Sequence, residues 1–182
     1  DLSYTTYKLV RRREQIIDGK LHWLFFPDQC RHCLAAPCLL WARNTEAIYQ
    51  DKETGAVVFT QKTRDLNAAE ISRVCPYNVP RSGQGGELAK CTLCNNRLKG
   101  GLEPACVKAC PTGCLNFGEL ADMRKMALQR VNKVKLTYPN ARLLDPDNVR
   151  VIFLTAFSPS QYHDYAASFD PTTWQTRENT AR

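Results

Sequence analysis

The chain has 182 residues, enough for one or two small domains with a modest core and little room for a substrate pocket. Its nine cysteines are about 5% of the residues, below the ~8–10% of a disulfide scaffold, and an odd number cannot all pair. The formal charge of +7 is scattered, with one basic run at Arg11-Arg12-Arg13 that reads as a solvated strand end, which argues against a nucleic-acid partner.

No run of about 18 apolar residues occurs, so no membrane anchor is expected. Asp1 to Lys20 carries basic residues but lacks the apolar centre of a secretory signal. The chain opens without methionine and in mid-pattern, and further residues upstream of Asp1 are expected.

Tyr4 to Phe26 reads as two extended segments around Asp18-Gly19, a hairpin. A second hairpin pairs Ala47-Ile48-Tyr49 with Val57-Val58-Phe59 across a turn that ends on Gly55. Asp65 to Val74 suits a short helix capped by Asp65. Arg81 to Gly86 is a flexible connection that divides the cysteines into two groups. Glu119 to Tyr138 is the longest helix candidate, with Leu120, Met123, Ala127, Val131 and Val134 on one apolar face and Pro139-Asn140 as its stop. Val149 to Leu154 reads as a buried strand. From Ser158 the tail is polar with isolated aromatics Tyr162, Tyr165, Phe169 and Trp174, a segment without a core of its own that suits a partner surface.

Eight cysteines fall in short sets: Cys30, Cys33 and Cys38, then Cys75, then Cys91 and Cys94, then Cys106 and Cys110. Thiolates packed this closely around tight turns point to a metal. Bacterial two-cluster ferredoxins use Cys-x2-Cys-x2-Cys-x3-Cys-Pro twice, and the fourth cysteine of each run ligates the cluster held by the other run's first three. In the first group the expected fourth cysteine is Ala42, and the three residues that should precede Cys75-Pro76 as ligands are Asp65, Ala68 and Ile71. The four missing thiolates would have bound a single cluster. The four that remain, Cys30, Cys33, Cys38 and Cys75, complete one 4Fe-4S site.

By the same pattern Cys91, Cys94 and Cys106 hold a second cluster and Cys110 serves a third, with the remaining ligands expected from an upstream Cys-x2-Cys-x2-Cys-x3-Cys run. Two alternatives stand for this group: that Cys91, Cys94, Cys106 and Cys110 close one site among themselves, or that they form a structural zinc site. Three cysteines in nine residues plus a remote Cys-Pro argue against zinc in the first group. Occupied clusters, each about −2 when oxidised with four thiolates, would offset much of the basic charge. Cys114 has no partner in this scheme and reads as a buried free thiol, with a substitute ligand as the alternative. His32 and Lys90 read as exposed side chains, although each is placed to tune a cluster's potential.

The residues that carry these motifs resemble the iron-sulfur beta subunits that accompany molybdenum or tungsten enzymes of the dimethyl sulfoxide reductase superfamily. The closest resemblance is to the beta subunit of soluble periplasmic formate dehydrogenases. The matching stretches run from Trp23 through Cys33, Cys75-Pro76-Tyr77-Asn78-Val79-Pro80-Arg81, Cys91 through Arg97, Gly101 through Cys106, Cys110-Pro111-Thr112-Gly113 and Asp147 through Val151.

The resemblance implies an α+β fold of tandem bacterial-ferredoxin-like 4Fe-4S modules, with inserted β-hairpins and a C-terminal helix and strand. The expected layout is a connecting hairpin over 1–26, a module with one complete site over 27–86, half of a second two-cluster module over 87–117, and a helix, strand and partner-contacting tail over 118–182. It further implies three 4Fe-4S clusters in the complete subunit, no catalysis by the subunit itself, and a catalytic bis-pterin molybdenum or tungsten subunit as partner. A cytochrome c or similar acceptor would receive the electrons, and a periplasmic location would follow from export with the catalytic subunit. The same role for another enzyme of that superfamily is the alternative. The chain departs from the family pattern in lacking the first cysteine run and in having Cys114 where a small residue is usual.

Overall fold

Asp18 and Gly19 both take positive φ, 51° and 74°, the backbone of a two-residue turn whose twist matches that of the flanking strands. They join β1 (Lys8–Ile17) to β2 (Lys20–Gln29) in an antiparallel register with Ile17 opposite Lys20 and Lys8 opposite Gln29. The period of two sends Leu24, Phe26 and Asp28 inward, and leaves Trp23 and Phe25 exposed on the other face. The structure, a computed structural model, describes residues 1–43 and 46–167.

Arg11, Arg12 and Arg13 lie in mid-strand and not at a solvated end. Arg11 Nε donates to Asp28 Oδ2 at 2.7 Å, Arg12 sits over the Trp23 ring, and Arg13 reaches Asp164 at 3.2 Å. Alternation along β1 separates their roles, because neighbouring side chains face opposite ways.

After β2 the chain forms α1 (Pro37–Ala42), whose first position is a proline that has no need of an N–H there. The expected second hairpin follows as β3 (Ile48–Gln50) and β4 (Val57–Phe59), with Ile48 opposite Phe59. The next helix starts later than Asp65. Asp65 closes a 3-10 turn over Gln61–Asp65, and α2 spans Ala68–Val74 with Asn67 as its cap, its side chain accepting from the N–H groups of Ala69 and Glu70. Asn67 satisfies two of the free donors at the helix start, which Asp65 is too far back to reach.

The connection where a module boundary is expected is the turn of a short hairpin, β5 (Arg81–Ser82) and β6 (Leu88–Ala89). Leu88, beyond that turn, packs in the first core cluster with Ile48, Val57, Ile71, Tyr77, Val79 and Val149. Two short helices follow, α3 (Asn95–Lys99) and α4 (Ala105–Lys108), then α5 (Leu120–Lys135). The face expected on α5 is the one turned inward, although Val131 alone is fully buried on it.

The strand expected over 149–154 divides in two. Val149 bridges Cys33, and β8 (Phe153–Thr155) pairs with β7 (Arg142–Leu144). The residues after Ser158 are not a coreless tail as far as Ala167. Helix α6 (Pro159–Tyr162) brings Tyr162 and Ala166 into a second cluster with Leu24, Phe26, Leu144 and Phe153. Phe26 meets Phe153 edge-on with ring centroids 5.3 Å apart, a favoured aromatic arrangement. Phe169 and Trp174 lie outside the described residues. Among the described residues no helix is long and apolar enough to cross a membrane.

Candidate metal centre

Four separate elements deliver the cysteines of the first group. Cys30 follows β2 directly, and His32, two residues on, takes φ 47° and directs its N–H at the Cys30 sulfur at 3.4 Å. Cys33 is held by its bridge to Val149, and Leu34 N–H donates to the Asn148 carbonyl at 2.8 Å. Cys38 rides on the first turn of α1. Cys75 caps the end of α2, and Pro76 turns the chain so that Asn78 N–H reaches the Cys75 carbonyl at 3.1 Å.

All four side chains line one cavity, shared with Arg31, Tyr77, Val57 and Lys90. Burial raises the Cys33 thiol pKa, and the nearby Cys30, Cys75 and Cys38 raise it further. Cys38 is pushed up to about 12 by burial and by Cys75 and Cys30, with Lys90 opposing. Cys75 is pushed up to about 11 by burial, with the Val79 N–H pulling it down and Cys30 raising it. Burial and mutual repulsion disfavour the thiolate forms of Cys33, Cys38 and Cys75, so a set of thiolates here calls for further positive charge among them.

A 4Fe-4S core would supply that charge, and the donor set fits it. Among the described residues no group of three or more His, Cys, Asp or Glu side chains is arranged to hold a single metal ion. The first group instead surrounds a shared volume, with thiolates as the only metal-binding side chains that line it. When bound, such a cluster accepts and releases single electrons. The chain's own part is to exclude water, fix the sulfurs and direct N–H groups at them.

The second group begins where the first ends. Cys91 is pushed up to about 11 by burial and then by Cys30, with Cys106 also contributing, so it stands near the first group as well as near Cys106. Leu93 and Cys94 both take positive φ, 57° and 53°, which folds the Cys-x2-Cys loop tightly. Ala105 N–H points at the Cys94 sulfur at 3.4 Å and brings the start of α4, which carries Cys106, to that loop. Cys110 has other company. Its sulfur lies 3.5 Å from the Thr112 hydroxyl and 3.4 Å from the Cys114 sulfur.

Three expectations fail on burial. His32 is completely buried, and its Nδ1 accepts from the Val57 N–H at 3.0 Å, which places the ring proton on Nε2. Lys90 is 5% exposed, and its ammonium donates to the carbonyls of Val57 at 2.5 Å and Cys91 at 3.1 Å. Cys114 is exposed and not a buried thiol. Arg31 escaped sequence reading altogether. The signal for it was its place inside the Cys30-x2-Cys33 loop, where a side chain has to turn either to solvent or into the core.

A family model described as a 4Fe-4S dicluster domain matches residues 21–120. The formate dehydrogenase subunit beta of Megalodesulfovibrio gigas is 52% identical over 172 residues, covering 92% of this chain and 80% of that one. This chain belongs to the formate dehydrogenase iron-sulfur subunit family. A second member, the formate dehydrogenase 2 subunit beta (cytochrome c-553) of Nitratidesulfovibrio vulgaris, is 39% identical, covering 91% of this chain and 79% of that one. The nitrate-inducible formate dehydrogenase iron-sulfur subunit of Escherichia coli is 36% identical over 90% of this chain and 57% of its own length. Membership in this family gives the chain its cofactor, 4Fe-4S clusters on a ferredoxin-like domain.

Proposed function

We propose that this iron-sulfur subunit conducts electrons between the molybdenum or tungsten catalytic subunit of a formate dehydrogenase and an external acceptor, and performs no bond chemistry itself. The observation that carries the reading is the convergence of Cys30, Cys33, Cys38 and the distant Cys75 on one buried cavity. In the proposed arrangement these four form a complete site in the first of two tandem ferredoxin-like modules. Cys91, Cys94 and Cys106 serve a second cluster and Cys110 a third, with further thiolates completing both. The separate surroundings of Cys110 support that division.

The acceptor is a c-type cytochrome, a reading supported by the cytochrome c-553 in the name of the Nitratidesulfovibrio vulgaris relative. The working compartment in this proposal is the periplasm, reached by export with the catalytic subunit. The test is to purify the complex and add formate without oxygen. Bleaching of the broad visible absorbance, followed by reduction of added cytochrome c at the rate of formate consumption, is the expected result. Clusters that formate cannot reduce would overturn the role. Recovery of the complex with cytoplasmic marker proteins after cell fractionation would overturn the location.

A further inference from the structure

Two cations are buried against the cavity of Cys30, Cys33, Cys38 and Cys75, and neither has a carboxylate partner among the described residues. Arg31 is 1% exposed and Lys90 5%, and both line the cavity. The Arg31 guanidinium sits within 5.2, 4.9 and 3.9 Å of the ring centroids of Phe26, Tyr77 and Phe153, and donates to the Ala166 carbonyl at 2.8 Å. Its Nε and Nη1 are buried without a hydrogen-bond partner. The Lys90 ammonium has two carbonyls and the face of Phe59 at 4.8 Å. Asp145 and Asp28 act on Arg31 without pairing with it: Asp28 accepts from Arg11 at 2.7 Å, and Asp145 accepts from the Tyr77 hydroxyl at 2.8 Å.

A buried cation without an anion is strongly unfavourable, and two against one cavity call for negative charge inside it. Carbonyl dipoles and ring faces lessen the penalty and leave each cation without a paired anion. A tetrathiolate cluster is an anion of the right sign and place, and it becomes one charge more negative when it takes an electron. Fixed positive charge therefore favours the reduced state over the oxidised one.

We propose that Arg31 and Lys90 are the buried counter-charges of the cluster held by Cys30, Cys33, Cys38 and Cys75, and that they make it more readily reduced than a neutral cavity would. The proposal rests on the functional reading above. Lys90 also touches the carbonyl of Cys91, so its charge lies at the junction between the first site and the second cysteine group.

The test is a redox titration of the intact complex followed by EPR, with the first cluster's signal assigned as the one that Cys75→Ala removes. Lys90→Met is expected to keep the iron and to lower that cluster's one-electron reduction constant about tenfold, which is about 59 mV. Lys90→Arg is expected to restore it. Iron retained with an unchanged potential in Lys90→Met overturns the proposal. Where Lys90→Met loses this cluster, Lys90→Gln decides, since glutamine keeps the carbonyl contacts without the charge. Loss or a lowered potential in Lys90→Gln with retention in Lys90→Arg supports the counter-charge role, whereas a wild-type potential in Lys90→Gln overturns it. If Cys75→Ala removes no signal, the functional reading itself fails, and the two failures are thereby told apart.

Discussion

Lys99 Nζ lies 2.5 Å from Asp51 Oδ2, and this pair ties α3, which follows Cys94, to the β3–β4 turn beside the first site. Asp51 also accepts from Asn95 Nδ2 at 3.2 Å and from the N–H groups of Glu53 and Thr54. Lys99 is the first cause that holds the Asp51 carboxyl below the usual carboxylate range, with the Thr54 N–H next. The two cysteine groups are thus held in place by charge as well as by packing. Lys99→Ala is expected to speed amide exchange over 51–55 and 95–99 and to leave β1 and β2 unchanged, as read by hydrogen-deuterium exchange. A uniform change across the chain would count against a local tie.

Cys75→Ala is expected to remove one cluster although Cys75 lies far along the chain from Cys30. The loss of one cluster's iron and of one EPR signal checks it. Unaltered iron content would mean that the cavity is not a cluster site.

The cluster-free chain offers a test by pH. Cys110 is brought down to about 6, first by the Thr112 hydroxyl and then by the Leu115 N–H and Cys114. It is therefore mostly thiolate above pH 6 and turns to thiol as pH falls through that value. Burial keeps Cys38 and Cys75 protonated throughout. Pulse alkylation at pH 7.5 read by mass spectrometry should label Cys110 well before Cys38 or Cys75, and the rate at Cys110 should fall below pH 6. Thr112→Val should move that transition to higher pH.

Gly55 and Gly19 separate two costs of a side chain. Both take positive φ, 70° and 74°, but a Cβ on Gly55 would meet the Arg150 guanidinium, whereas one on Gly19 meets nothing within 4 Å. Gly19→Ala is expected to cost about 1–2 kcal/mol, the backbone term alone. Gly55→Ala should cost more, and a lower Tm for it than for Gly19→Ala in thermal melts checks the order. Equal melting temperatures would mean that Arg150 moves aside freely.

Features written in consecutive residues were legible in the sequence. Asp18-Gly19 specifies its own turn, the alternation of β1 and β2 follows from it, and the spacing of Leu120, Met123, Ala127, Val131 and Val134 marks the inner face of α5. Boundaries were less legible. Asp65 and Asn67 are both good caps two positions apart, and the 3-10 turn that uses Asp65 depends on Thr63, whose hydroxyl accepts from the Leu88 N–H at 2.9 Å, a contact from outside the segment.

The cysteine spacing by itself determined the donor type, the iron-sulfur chemistry and the grouping of Cys75 with Cys30, Cys33 and Cys38, because the ligation pattern of a cluster is a rule about sequence intervals. Only the tertiary structure decided which charged and polar neighbours face that site. Lys90, Arg31 and His32 are drawn into the interior, and Cys114 is left outside. Burial of a polar group is settled by partners far away in the chain, Val57 for His32 and Lys90, and Phe153 and Ala166 for Arg31, and no local pattern records those partners.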